Sequence, residues 1–184
     1  MQQRIARFLE ERIGRQINRA PSPVLALSVP WISIMLASMV PALPLIASAP
    51  LMPPLGFMAF VAWRQIRPGL LPVWAGLPLG MFDALYSGQP IGSAVLLWSV
   101  AMIVLDLVEA RLPWRSFVMN WIEAAALLAA YLCAALAFAN LAGGATPLVV
   151  IVPQIVLTAL LFPLVGRAVM ACDRFRLLKV MEIG

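Results

Sequence analysis

The thirteen Lys and Arg residues of this chain fall at only four places, and long apolar runs separate them. The first group holds Arg4, Arg7, Arg12, Arg15 and Arg19, and the second Arg64 and Arg67. The third holds Arg111 and Arg115, and the fourth Arg167, Arg174, Arg176 and Lys179. Midway between groups come turns without Lys or Arg: Ser48-Ala49-Pro50, Ser87-Gly88-Gln89-Pro90 and Gly143-Gly144-Ala145-Thr146-Pro147. Each interval has room for two bilayer crossings. Cytoplasmic loops accumulate Lys and Arg, whereas exported loops do not. The pattern predicts an all-α integral membrane protein with six transmembrane helices and both termini in the cytoplasm.

Composition agrees. Hydrophobic residues make up 63% of the 184 residues and charged residues 11%, against roughly 45–50% and about 25% in soluble domains. Six crossings leave one membrane domain, residues 24–171, between an N-terminal segment (1–20) and a basic cytoplasmic tail (172–184). The net charge of +5 resembles a nucleic-acid footprint. Topology already accounts for these cations, however, so no nucleic acid is expected. Anionic lipids of the inner leaflet are the expected partners of the basic ends, at roughly 1 kcal/mol per Lys or Arg near the surface. Cys133 and Cys172 lie at different expected depths, which excludes a disulfide and makes both read as small buried apolar residues. The first apolar run begins only at Val24 and no small-residue cleavage site follows, so no cleavable signal peptide is expected.

Gln3 to Arg19 has the spacing of an amphipathic helix. Ile5, Phe8, Leu9, Ile13 and Ile17 share one face, which suits the membrane interface or a cytoplasmic partner. Pro21-Ser22-Pro23 ends it. The spans then run from about Val24 to Ile46, Leu51 to Trp63, Gly69 to Ser87, Ile91 to Ala110, Ser116 to Leu141 and Leu148 to Ala171. The second, at thirteen residues, is only ~20 Å long against a hydrocarbon core of ~30 Å. A re-entrant segment is its alternative, but that would invert the later charge clusters.

Histidine is absent and the sole lysine is Lys179, which removes the commonest acid–base group and zinc ligand. No nucleophile elbow, phosphate loop or cysteine metal spacing exists. No enzyme activity, cofactor or metal is expected. Ionisable residues at membrane depth are costly unless paired. Asp106 and Glu109 share one face of the fourth span, Glu123 and Asn120 lie at similar depth on the fifth, and Arg167 sits within the sixth. Arg167 is expected to pair with Asp106, Glu109 or Glu123, in a network that fastens helices together, conducts a proton or ion, or lines a groove for a partner.

Small residues recur every four positions at Gly76, Gly80, Ala84 and Gly88, and again at Ala126, Ala130 and Ala134. Such stripes allow close helix approach, most often within one subunit. The most specific stretch is Gly80-Met81-Phe82-Asp83-Ala84-Leu85-Tyr86-Ser87-Gly88-Gln89-Pro90-Ile91-Gly92. Asp83 stands one turn before an exported hairpin, where it is expected to cap the N-terminus of the next helix.

This pattern, with Gly80, Asp83, Gly88, Pro90 and Gly92 in register and Arg67-Pro68 before it, resembles the rod shape-determining protein MreD family of bacteria. Size, six spans and a basic tail fit too; the long N-terminal extension and the prolines of the first span depart from the family. The resemblance implies a non-enzymatic inner-membrane scaffold of the cell-elongation machinery. It would bind the single-span protein MreC and, through it, MreB, RodA and its transpeptidase. It also implies a bundle similar to the S-components of vitamin transporters, so the alternative is the substrate-binding subunit of an energy-coupling transporter. Sparse polar residues in the outer half argue against that alternative, because a polar vitamin needs convergent hydrogen-bonding groups. For a scaffold, the first span and the exposed faces of the second are the expected docking surface, with Ala37 and Gly56 as candidates.

Cysteines placed at Ser48, Gly88 and Gly144 are expected to react with an impermeant thiol reagent in intact cells, and one at Arg115 is not. Labelling at Arg115 would overturn six spans.

Overall fold

The computed structural model describes residues 19–21, 23–42, 52–90, 92–111, 116–177 and 179–182. The amphipathic stretch 1–18 and the turn Ser48-Ala49-Pro50 lie outside them. Among the described residues six α-helices occupy the six apolar runs: α1 (Pro23–Met39), α2 (Leu55–Ile66), α3 (Gly76–Ser87), α4 (Ser93–Arg111), α5 (Phe117–Leu141) and α6 (Val152–Arg176). A short antiparallel pair, β1 (Arg19–Pro21) with β2 (Lys179–Glu182), joins the two ends of the chain.

Three segments, Ser93–Arg111, Phe117–Leu141 and Leu148–Arg176, are long and apolar enough to cross a membrane, and Val24–Met39 is a shorter apolar helix. Leu96, Val100, Ile103 and Leu107 of α4 and Val156, Leu160 and Leu164 of α6 face outward, exposed. Continuous apolar faces of this kind suit lipid as solvent, and the chain is a helical membrane protein.

Boundaries differ from the sequence reading where proline or charge pairing decides. The third helix starts at Gly76, not Gly69, because Pro68, Pro72 and the left-handed Gly69 (φ 76°) keep residues 67–72 out of the α conformation. The second extends past Trp63 to Ile66, and the sixth past Ala171 to Arg176. In both, added polar residues find partners: Arg64 and Gln65 in the second, Asp173 and Arg176 in the sixth.

At twelve residues, α2 is about 18 Å long, yet it is the centre of the bundle: every residue from Gly56 to Arg64 is buried. A helix apolar on all sides belongs inside. Phe57 stacks on Tyr131 of α5 with ring centroids 4.0 Å apart and meets Trp98 of α4 edge-on at 5.4 Å, while Phe60 lies 5.0 Å from Trp98.

The expected docking role of Gly56 is therefore incorrect. A Cβ there would fall 1.9 Å from Ser38 Oγ and 2.9 Å from Ser38 Cα, so Gly56 is the point where α1 and α2 touch. Ala37 is half-buried against the same core. The third-helix stripe packs internally, as the sequence suggested. A Cβ on Gly76 or Gly80 would lie 2.9 Å from the α4 backbone, at Ser99 and Trp98 or at Ala94 and Val95. The fifth-helix stripe turns outward instead, with Ala126 and Ala130 exposed and Ala134 partly so; Cys133, expected to be buried, is also exposed.

Two prolines inside helices are balanced by side chains from elsewhere. A helical proline frees the carbonyl four residues earlier. Pro30 in α1 frees Ala26, and Arg176 Nη1 of α6 donates to that oxygen at 3.1 Å. Pro163 in α6 frees Ala159, and Trp121 Nε1 of α5 donates to it at 2.9 Å. Trp121→Phe is expected to lower stability by about 1–3 kcal/mol, the usual consequence of stranding a buried acceptor. Adding Pro163→Ala, which restores the intrahelical N–H, should recover most of that loss. Unfolding in detergent measures both, and simple additivity of the two changes would refute the pairing.

Candidate functional site

Polar side chains inside the bundle gather at two places of different chemistry. The first is the end that holds the start of α1, the ends of α2, α4 and α6, and the start of α5. Arg64, buried in the last turn of α2, donates through Nη2 to Asp106 and to Glu109 (3.3 Å) of α4, and through Nη1 to the Leu71 carbonyl at 3.5 Å. The adjacent Gln65 donates to the Asn120 carbonyl at 2.9 Å and to Glu123 at 3.4 Å, both on α5. Arg67, just beyond α2, grips Asp173 of α6 through Nε (3.0 Å) and Nη2 (2.9 Å). Arg176 reaches the same carboxylate at 2.7 Å, and its guanidinium lies 5.7 Å from the Trp63 ring centre. The hydrogen bond and charge of Asp173 raise the Arg67 pKa above its ordinary value.

The structure brings Asp106 and Glu109 together as expected, and sets Asn120 and Glu123 beside them through Gln65. It does not give them Arg167. That residue is exposed and makes no hydrogen bond or ion pair among the described residues; Arg64 takes its expected place. The signal was Pro68. Proline disfavours helix only at the residue just before it, so a helix ending near Arg67 encloses Arg64.

The second place is the opposite end, around Asp83 of α3, which is 7% exposed. Asp83 was expected to cap α4; the hydrogen bonds at that helix start are instead local, from Ser93 N and Oγ to the Pro90 carbonyl and from Leu96 N to the Gly92 carbonyl. Gly88 (φ 67°) and Gly92 (φ 95°) serve the turn through their left-handed backbone. Burial faces Asp83 inward, toward Ser38 of α1, Trp98 of α4, Tyr131 of α5 and Ser87 of α3. Gln89 Nε2 donates to Tyr131 Oη at 2.8 Å. Ser38, Ser87 and Trp98 thus have the Asp83 carboxylate for their polar atoms, and among the described residues Gln89 Oε1 is buried without a hydrogen-bond partner.

With Asp83 and Tyr131 these groups form a buried polar cluster drawn from α1, α3, α4, α5 and the turn after α3. Sequence reasoning singled out Asp83 but missed Ser38, Gln89, Trp98 and Tyr131, which come from four separate stretches of chain. Among the described residues no three His, Cys, Asp or Glu side chains are grouped as metal ligands.

No protein-family model, curated protein or solved structure matches the chain.

Removing one partner of a buried pair typically costs about 3–5 kcal/mol. Arg64→Ala is expected near the lower end of that range, because the Asp106 and Glu109 side chains remain about one-third exposed (35% and 34%). Arg167→Ala should stay within about 0.5 kcal/mol, as for other exposed sites. Unfolding of the two variants in the same detergent decides it; equal losses would refute the Arg64 pairing.

Proposed function

We propose that this protein is a non-enzymatic, multi-pass inner-membrane scaffold of the bacterial cell-elongation machinery, with six spans, cytoplasmic termini and the single-span protein MreC as its partner. The observation that carries the reading is the segment Gly80 to Gly92. Its sequence resembles the MreD family, and its glycines have a physical need. Gly80 has no room for a side chain against α4, and Gly88 and Gly92 take left-handed backbone.

Two further features support it. Apart from Arg167, arginines at the basic end tie helices together, Arg64 with Asp106 and Glu109, and Arg67 with Asp173, as in a fastening. The pairing of β1 with β2, and the Arg176 bond to Ala26, bring the segment before α1 beside the segment after α6, which supports an even number of crossings. Membrane helices associate through small residues in close contact. The exposed Ala126 and Ala130 of α5 therefore replace Ala37 and Gly56 as the place for a partner helix.

The buried polar cluster around Asp83 favours a second reading, a substrate-binding subunit of an energy-coupling transporter. Convergent hydrogen-bonding groups are what a polar ligand needs, and Ser38, Asp83, Ser87, Gln89, Trp98 and Tyr131 supply them.

Copurification from native membranes separates the readings. The scaffold retains MreC; Ala130→Leu should reduce that retention severalfold while the protein stays in the membrane, and Asp83→Asn should leave it unchanged. Absence of MreC, together with a small polar compound that is released on denaturation and lost in Asp83→Asn, would replace the scaffold with the binding subunit.

A further inference from the structure

A cavity of about 230 Å³ opens between the end of α2, the first turns of α5 and the middle of α6. Gln65, Asn120 and Arg167 supply its polar edge, and Trp121, Phe162 and Met170 are among its apolar walls. It lies at the basic end of the bundle. Arg167 is six residues before Asp173 on α6, hence about 9 Å deeper along the helix axis.

Most donors around the cavity are already engaged. Gln65 Nε2 serves the Asn120 carbonyl and Glu123, and Trp121 Nε1 serves the Ala159 carbonyl. Among the described residues Arg167 is not engaged. Other side chains hold the nearby carboxylates: Arg64 holds Asp106 and Glu109, Arg67 and Arg176 hold Asp173, and Gln65 donates to Glu123. A guanidinium at this depth is costly unless an anion meets it, and its fork of donors matches a phosphate. The volume is below the roughly 300–1,000 Å³ that encloses a whole drug-sized ligand. An occupant therefore places only part of itself here and leaves the rest against the lipid-facing helices.

We infer that this cavity is a binding site for one anionic phospholipid of the basic-side leaflet, with its phosphate on Arg167 and part of an acyl chain against Trp121, Phe162 and Met170. Basic pockets between transmembrane helices recognise anionic headgroups in this way. Gly166, which lines the cavity, provides a control that leaves the charge in place: a Cβ there meets nothing within 4 Å. A leucine at this position fills the space without a backbone clash.

Native mass spectrometry of the full-length protein, delipidated and then incubated with equal phosphatidylglycerol and phosphatidylethanolamine, tests the inference. Wild type should retain one phosphatidylglycerol in preference to phosphatidylethanolamine. Arg167→Ala should reduce that preference about fivefold, in line with the loss of one cation near the surface. Arg167→Lys should keep part of it, and Gly166→Leu should abolish retention with Arg167 intact. Equal retention of both lipids by wild type would overturn the site. So would unchanged retention in Gly166→Leu, which would leave only surface attraction. A Gly166→Cys that crosslinks to a protein chain in native membranes would overturn it as well, by showing a helix as the occupant.

Discussion

A chain in lipid must satisfy its backbone polar groups from within, since no water is there to do it. In this protein that constraint decides how the helices are joined. Pro30 and Pro163 each leave a carbonyl open inside a helix, at Ala26 and Ala159, and each carbonyl is closed by a side chain from another helix, Arg176 and Trp121. Making such interhelical bonds contributes little net, averaging about 0.6 kcal/mol. Leaving the carbonyl open costs several times more. The asymmetry makes the prolines positional devices: each has a stable environment only when a particular neighbour stands at one height. One fixes α6 against α1, the other α5 against α6.

With those heights set, a central helix of only twelve residues becomes workable. α2 does not reach across a hydrocarbon core, and it has no lipid-facing side on which the shortfall would show. Its first turns lean on α1 at Gly56 and Ser38. At its far end, Arg64, Gln65 and Arg67 reach α4, α5 and α6 respectively. Three polar anchors within four residues at one end of a buried helix explain why that end of the bundle is ionic. They also explain why the carboxylates of α4 turn toward α2 and not toward Arg167.

The sequence made the positions and order of the six described helices readable, because apolar length and the breaks between apolar runs act on composition. It did not make rotation readable. α1, α4 and α6 are apolar nearly all round, and without a polar stripe nothing in the pattern says which face turns inward. The misplaced expectations share that cause. Gly56 was taken for an outer surface, Arg167 for the partner of Asp106, and Ala126 and Ala130 for an inner seam. The turn glycines Gly88 and Gly92, at positive φ, were legible because their need is local. The Asp83 cluster was not, because Ser38, Trp98 and Tyr131 converge on it only after three other helices have packed.

The two ends of the bundle thus differ in kind. One is held by full charges, Arg64 with two carboxylates and Asp173 with two arginines; the other holds a single carboxylate among hydroxyl, amide and indole groups. Asp83 rides on α3, whose distance from α4 is set by backbone contact at Gly76 and Gly80. Across from it is Ser38, which borders both Asp83 and the close approach at Gly56. One serine therefore ties the polar cluster at Asp83 to the spacing of α1 and α2, and so to the seating of the helix whose other end carries the ions.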